Sequence, residues 1–250
     1  MGRLEAFKQD LTAKKAVKII AGIDNYNIQN IKKVVKAAEK ANASAVDISA
    51  KPEIITEARN LTNLPLFVSS IVPEELAMAV YLGADAIELG NYEHFYKKGT
   101  IFSKEDVLAL VTRTLEIINK KVFFSVTIPG LIPISEQIDL AVELEAMGID
   151  LLQTEGGFIE NPKAGVRGLI ERVELTLANT IELSRNVEMP IMTSTGITPT
   201  TAPLAFASGA SAIGCGSCIN KLNSEISMIA TTKQLVEIAS RNSDKALALA

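Results

Sequence analysis

Glu155 closes the run Leu151-Leu152-Gln153-Thr154-Glu155 and is followed at once by Gly156 and Gly157. An acid carried by an apolar stretch into a gap without side chains has the make-up of a general acid/base. A dry setting raises its pKa, and the glycines leave room for a substrate. The same pattern also suits a loop brace, and at this point both readings stay open. Lys18 lies inside the apolar run Val17-Lys18-Ile19-Ile20-Ala21. A buried lysine is either paired with an acid or loses its proton, and the deprotonated amine forms imines with carbonyls. Asp47 and Glu88, each inside another short apolar run, are its candidate partners. The candidate catalytic set is therefore Glu155, Lys18, Asp47 and Glu88.

Two glycine turns supply the second kind of chemistry. Thr195-Gly196-Ile197 and Gly214-Cys215-Gly216-Ser217 present main chain with little side chain over it. Backbone N–H groups in such turns hold phosphate, which makes Gly196, Ile197, Gly216 and Ser217 a candidate phosphate cup. The stretch Cys218-Ile219-Asn220-Lys221-Leu222 reads as a short extra helix before the last helix, and its N-terminus favours an anion. The alternative is that the glycines only shape tight turns. Cys215 and Cys218 are spaced C-x-x-C, a redox pair or half of a zinc site; with His94 the sole histidine, no structural zinc site is expected. His94 sits in the loop 91–99, which suits a lid or a subunit contact. Lys163 and Arg167, in the loop 156–168, are placed to close over an anion.

These residues need a scaffold, and the spacing names one. Four stretches share a grammar: a Gly or Asn at a helix end, one or two linking residues, then a short apolar strand. They begin at Asn42, Gly83, Gly148 and Gly209. Between them lie Val17–Ala21, Leu66–Ser69, Val122–Val126 and Ile191–Ser194, so eight strands start near 17, 45, 66, 85, 122, 150, 191 and 211. Amphipathic helical patterns fill the gaps, among them 135–147, 169–185 and 224–240, with Pro52 and Pro73 at first-turn positions. Strands that are apolar throughout belong to a parallel sheet covered on both faces. The spacing predicts a single (β/α)8 TIM barrel over 1–250, with a helix over 1–15 leading into the first strand. A doubly wound sheet would need a glycine fingerprint after that strand, where GIDNYN stands instead. In a barrel the candidates fall at strand C-terminal ends, beside Ser69, Asn91, Ser125, Thr127 and Gln153.

Net charge is −4 and the charges are interspersed, so no basic face marks a nucleic-acid or anionic-membrane partner. No apolar run has the length of a membrane span, and the start MGRLEAFKQDL reads as neither signal nor transit peptide. Two cysteines fit a reducing compartment.

The runs KIIAGIDN, LFVSSIVPEELAMAVYLGADAIELGNYEHFY, QTEGG and TSTGITPTTAPLAFASGASAIGCGSCINKLNSEISMIA resemble the "hypothetical chloroplast open reading frame twenty-three" family of plastids and cyanobacteria. The likeness spans nearly the whole chain. It implies a TIM barrel in a plastid stroma or cyanobacterial cytoplasm and brings no activity or site residue. More distantly, the TGI and GCGS turns are similar to those of thiazole synthase, sugar-phosphate epimerases and flavin-mononucleotide barrels. The functional expectation is a small-molecule enzyme for a phosphorylated metabolite, an isomerase, lyase or synthase with Glu155 as acid/base. An FMN-binding oxidoreductase and a non-catalytic metabolite-sensing barrel are the alternatives, and a homo-oligomer is compatible with all three.

Overall fold

Each of the four turn residues that end a helix takes a positive φ: Asn42 54°, Gly83 94°, Gly148 81° and Gly209 104°. A chain that reverses this way drops straight from helix into strand, and the repeat builds a barrel. The structure, a computed structural model, describes residues 2–96, 98–118, 122–157, 159 and 163–249. Parts of two loops singled out above, residue 97 and residues 158 and 160–162, lie outside the described residues.

The strands are β1 (Ala16–Ile20), β2 (Ala45–Ser49), β3 (Leu66–Ser70), β4 (Ala86–Leu89), β5 (Phe123–Thr127), β6 (Leu151–Thr154), β7 (Ile191–Thr193) and β8 (Ala212–Cys215). Every strand runs parallel to the next, and β8 pairs back onto β1, closing the barrel. The helices are α1 (Arg3–Thr12), α2 (Ile28–Lys40), α3 (Pro52–Arg59), α4 (Pro73–Tyr81), α5 (Glu93–Tyr96), α6 (Lys104–Ile117), α7 (Ile134–Ala146), α8 (Gly165–Ser184), α9 (Ala202–Ala207), α10 (Ser217–Asn220) and α11 (Glu225–Leu249). The short extra helix before the last one is α10, and the expected (β/α)8 barrel is the architecture found. Three elements differ from expectation, and one is the last helix, α11, which ends at Leu249 rather than at 240. The turn α5 forms inside the stretch read as a loop, with Phe95 and Tyr96 N–H both donating to the Tyr92 carbonyl. Helix α8 starts four residues before 169, with Ala164 as an extended cap and Gly165 at φ 71° opening the turn.

Side chains alternate along each strand. The outward set, including Val17, Ile19, Val46, Ile48 and Val68, packs beneath the helices. The inward set is apolar at the N-terminal end, where Ala16, Ala45, Phe67, Ala86, Phe123, Leu151, Met192 and Ala212 surround Phe7 and Leu11 of α1. Phe7, Phe67 and Phe123 meet edge to face, with centroids 5.1–5.8 Å apart, the arrangement ring quadrupoles favour. Helix α1 thus stoppers the bottom of the barrel and confines the lumen's polar residues to the other end. Above the outward face of β6 and β7, the hydroxyls of Thr154, Thr176, Thr180 and Thr193 form a hydrogen-bonded string that fixes α8. Phe7→Ala is expected to lower unfolding stability by about 3–5 kcal/mol. Urea denaturation of the full chain measures this; a change under about 1 kcal/mol would mean that α1 is not a stopper.

Candidate functional site

One step above the apolar layer, the inward positions become Lys18 of β1, Asp47 of β2, Ser69 of β3, Glu88 of β4, Ser125 and Thr127 of β5, and Gln153 of β6. All are buried. Strand alternation puts them on one face, and the closed sheet turns that face into a single lumen. Four donors converge on Glu88. Its Oε2 accepts from Lys18 Nζ and from Ser125 Oγ at 2.8 Å. Its Oε1 accepts from Asn91 Nδ2 and Gln153 Nε2, each at 3.0 Å. Gln153 Nε2 also reaches Asn91 Oδ1 (3.1 Å) and Thr127 Oγ1 (3.2 Å). Lys18 is therefore paired, as an interior ion pair with Glu88, and its Nζ lies 5.0 Å from the Phe67 ring centroid.

Asp47 belongs to the same network but stands differently in it. Ser69 Oγ donates to its Oδ1, while Oδ2 is buried with no partner among the described residues. Burial pushes the Asp47 carboxyl up to about 7; Glu88 adds to the rise, and Lys18 and the Ser69 hydroxyl oppose it. The cluster therefore holds a saturated acid, Glu88, and an acid with a free oxygen that titrates near neutrality.

The two glycine turns leave neighbouring strands at the same end of the barrel, β7 and β8 being paired at Thr193 and Ile213. Among the described residues, no acceptor meets the backbone N–H groups of Gly196, Ile197, Gly216 or Ser217. The two glycines differ in what they owe to packing. Gly196 has φ 74°, and a Cβ there would lie 3.0 Å from the Arg172 carbonyl of α8. Gly216 has φ −110°, and its nearest neighbour, the Ile20 carbonyl oxygen, would be 3.6 Å from an added Cβ. Packing requires glycine at 196 and does not require it at 216. Asn220 Nδ2 donates to the carbonyls of Ile20 (2.8 Å) and Gly216 (3.2 Å), tying α10 to the end of β1.

The remaining candidates lie around this core. His94 Nδ1 is 2.7 Å from Asp24 Oδ2, linking α5 to the loop after β1. Lys163 and Arg167 both pair with Glu171 on α8, at 3.5 and 3.1 Å. Cys215 is buried on the outward face of β8 and Cys218 is half-buried on α10; both are free. Burial holds the Cys215 thiol well above its usual range, while its hydrogen bond to Cys218 lowers the latter.

Residues 4–245 match the family described as "Protein of unknown function (DUF561)". Uncharacterized protein ycf23 of Pyropia yezoensis is 38% identical over 221 residues, 88% of this chain and 81% of its own length. Uncharacterized protein ycf23 of Cyanophora paradoxa is 39% identical over 220 residues, 88% of this chain and 90% of its own. The chain belongs to the DUF561 family. The family resemblance carried by the KIIAGIDN and TSTGITP runs thus holds at the level of whole sequences. A solved structure of (S)-3-O-geranylgeranylglyceryl phosphate synthase from Thermoplasma acidophilum, in complex with substrate sn-glycerol-1-phosphate, shares the DUF561 barrel. It is 17% identical, the match covers 96% of this chain and 99% of that one, and the TM-score is 0.65. That likeness is one of fold. No helix among the described residues is long and apolar enough to cross a membrane.

Glu155 of this DUF561 protein sits apart from the Lys18 cluster. Its Oε2 accepts from Tyr92 N–H at 3.0 Å; its Oε1 accepts from Tyr96 O–H and from Gly130 N–H at 3.3 Å. The carboxyl thus joins the loops after β4, β5 and β6. The glycines behind it are hemmed in: a Cβ on Gly156 would lie 3.1 Å from Thr195 Cγ2 and 3.2 Å from the Arg172 carbonyl oxygen, and one on Gly157 would lie 2.8 Å from Leu131 Cδ2. One on Gly130 of the neighbouring loop would lie 2.6 Å from the Glu155 carbonyl oxygen. The local sequence around QTEGG names none of these partners, because all come from loops far away in the chain. Burial pushes Glu155 up to about 7, against the hydrogen bonds from Tyr96 and Gly130.

Glu155 and Asp47 both titrate higher in the fold than in an unfolded chain, so the folded state holds protons that unfolding releases. The stability this supplies is fully present below the ordinary carboxyl range, about pH 4, and is lost as pH rises through about 7. Unfolding free energy is expected to decline from pH 5 to pH 7.5. In Glu155→Gln the decline should be shallower by roughly 1 kcal/mol per pH unit. Parallel pH profiles of wild type and variant in urea titrations would exclude a protonated, buried Glu155.

Proposed function

We propose that this protein is an enzyme acting on a small phosphorylated metabolite, with proton transfer beside a carbonyl as its core chemistry. The carrying observation is a vertical arrangement. Lys18 faces Gly214 across the β1–β8 ladder, and Gly216 follows two residues later, about 7 Å further along the strand. A phosphate on the unengaged amides of Gly196, Ile197, Gly216 and Ser217 would hang its carbon chain toward the Lys18–Asp47–Glu88 cluster. Bare backbone donors at loops seven and eight of a barrel suit a phosphate dianion. The phosphate ester named with the structural neighbour above is consistent with such a ligand.

In this reading the roles divide by surroundings. Asp47, with one oxygen free and a pKa near neutrality, moves the proton. Lys18, held by Glu88, supplies fixed positive charge for an oxygen that becomes anionic as the proton leaves. Its pairing favours this electrostatic part over imine formation. Glu155 anchors the loops that shield the cluster from water, and its place in the acid/base set is through that anchoring.

The glycines test the cup. Gly196→Ala is expected to destabilise the fold by about 1–3 kcal/mol, since it forces a side chain into positive φ against Arg172. Gly216→Ala should stay within about 1 kcal/mol of wild type and lose inorganic phosphate affinity by about tenfold or more. Calorimetric titration with inorganic phosphate, beside native mass spectrometry of the protein as purified, reads this out. Failure of wild type to bind phosphate or to retain any phosphate ester would remove the proposal.

A further inference from the structure

The hydrogen-bond network of the lumen has two loose ends. From Asp47 it runs through Ser69 Oγ to Asn91 Nδ2 at 3.4 Å, and from Asn91 Oδ1 to Gln153 Nε2. Its terminal oxygens, Asp47 Oδ2 and Gln153 Oε1, are fully buried acceptors with no donor among the described residues. The orientation of Gln153 is not arbitrary. Glu88 Oε1 accepts from Nε2, so the amide oxygen is the atom left over. Next to that oxygen β8 carries a glycine that packing requires: a Cβ on Gly214 would crowd Ser194 Oγ at 3.0 Å, Ile20 Cδ1 at 3.1 Å and Gln153 Oε1 at 3.2 Å. Gly214 is also the residue level with Lys18 and two before Gly216. Gln153 Oε1 thus lies beside the strand that leads into the candidate cup.

Buried acceptors left without donors are costly, and each one in a native protein calls for an explanation, of which a donor from outside the chain is one. We infer that the substrate is a phosphorylated polyol or sugar, and that Asp47 Oδ2 and Gln153 Oε1 receive two of its hydroxyls. The inference rests on the phosphate reading above and adds the chemistry of the carbon chain. A hydroxyl is the group that fits both ends. It donates to an amide oxygen or a carboxylate, and it also accepts from a carboxyl, so it serves Asp47 in either protonation state. Were Asp47 the proton-transfer group, the same contact would put the hydroxyl proton on Oδ2: the O–H bond breaks, a carboxyl O–H forms, and the alkoxide electrons are left beside Lys18.

Calorimetric titration of the full chain with four probes decides it: inorganic phosphate, propyl phosphate, racemic glycerol 1-phosphate and ribitol 5-phosphate. Sites built to hydrogen-bond hydroxyls reject analogues that lack them. The hydroxylated esters are expected to bind about tenfold or more tightly than propyl phosphate. In Asp47→Ala, which removes the free oxygen and puts no donor or acceptor in its place, that ratio should fall toward one. Equal binding of propyl and polyol phosphates by wild type would overturn the inference while leaving the phosphate cup standing. Binding of none of the four would remove the cup, and this inference with it. An unchanged ratio in a folded Asp47→Ala protein would withdraw Asp47 from hydroxyl recognition.

Discussion

Everything polar inside this barrel is organised by Glu88. A carboxylate and an ammonium taken out of water lose hydration that their mutual attraction alone seldom restores; the pair persists only where further donors complete the shell. Here Ser125, Asn91 and Gln153 do so from three separate elements. Meeting that demand fixes the orientations of Asn91 and Gln153, and leaves Gln153 Oε1 buried without a donor among the described residues. The ion pair is therefore less a source of stability than a device for orientation.

A second constraint comes from helix α8. Its Arg172 carbonyl approaches both Gly156 after β6 and Gly196 after β7, so two glycines that look like invitations to a ligand are first of all accommodations of a neighbouring backbone. The threonine string beneath α8 holds it at that distance. Gly216, which lacks any such neighbour, stands out by comparison. Glu155 belongs to this architectural group too, since its oxygens gather three loop donors rather than facing the Lys18 cluster.

The barrel was legible because its signals are local and repeated. Gly83, Gly148, Gly209 and Asn42 each reverse the chain for a reason that four neighbouring residues reveal, and Pro52 and Pro73 mark helix starts wherever they occur. Lys18 was legible as a buried lysine needing an acid. Which acid was not, since Asp47 and Glu88 lie on strands of the same kind, and the choice depends on where the closed sheet sets them. The partners of Glu155 were illegible: Tyr92, Tyr96 and Gly130 follow no spacing rule relative to residue 155.

By itself, then, the sequence determined the order of strands and helices and the family to which the chain belongs. Those properties arise from periodicity, turn residues and whole-chain similarity, all of them read along one dimension. Tertiary structure alone decided that Glu88 is saturated and Asp47 is not, that Glu155 binds loops, and that packing requires glycine at 196 and not at 216. Such distinctions depend on which atoms of distant segments come within hydrogen-bond or contact range, and closing the sheet into a barrel is what brings them there.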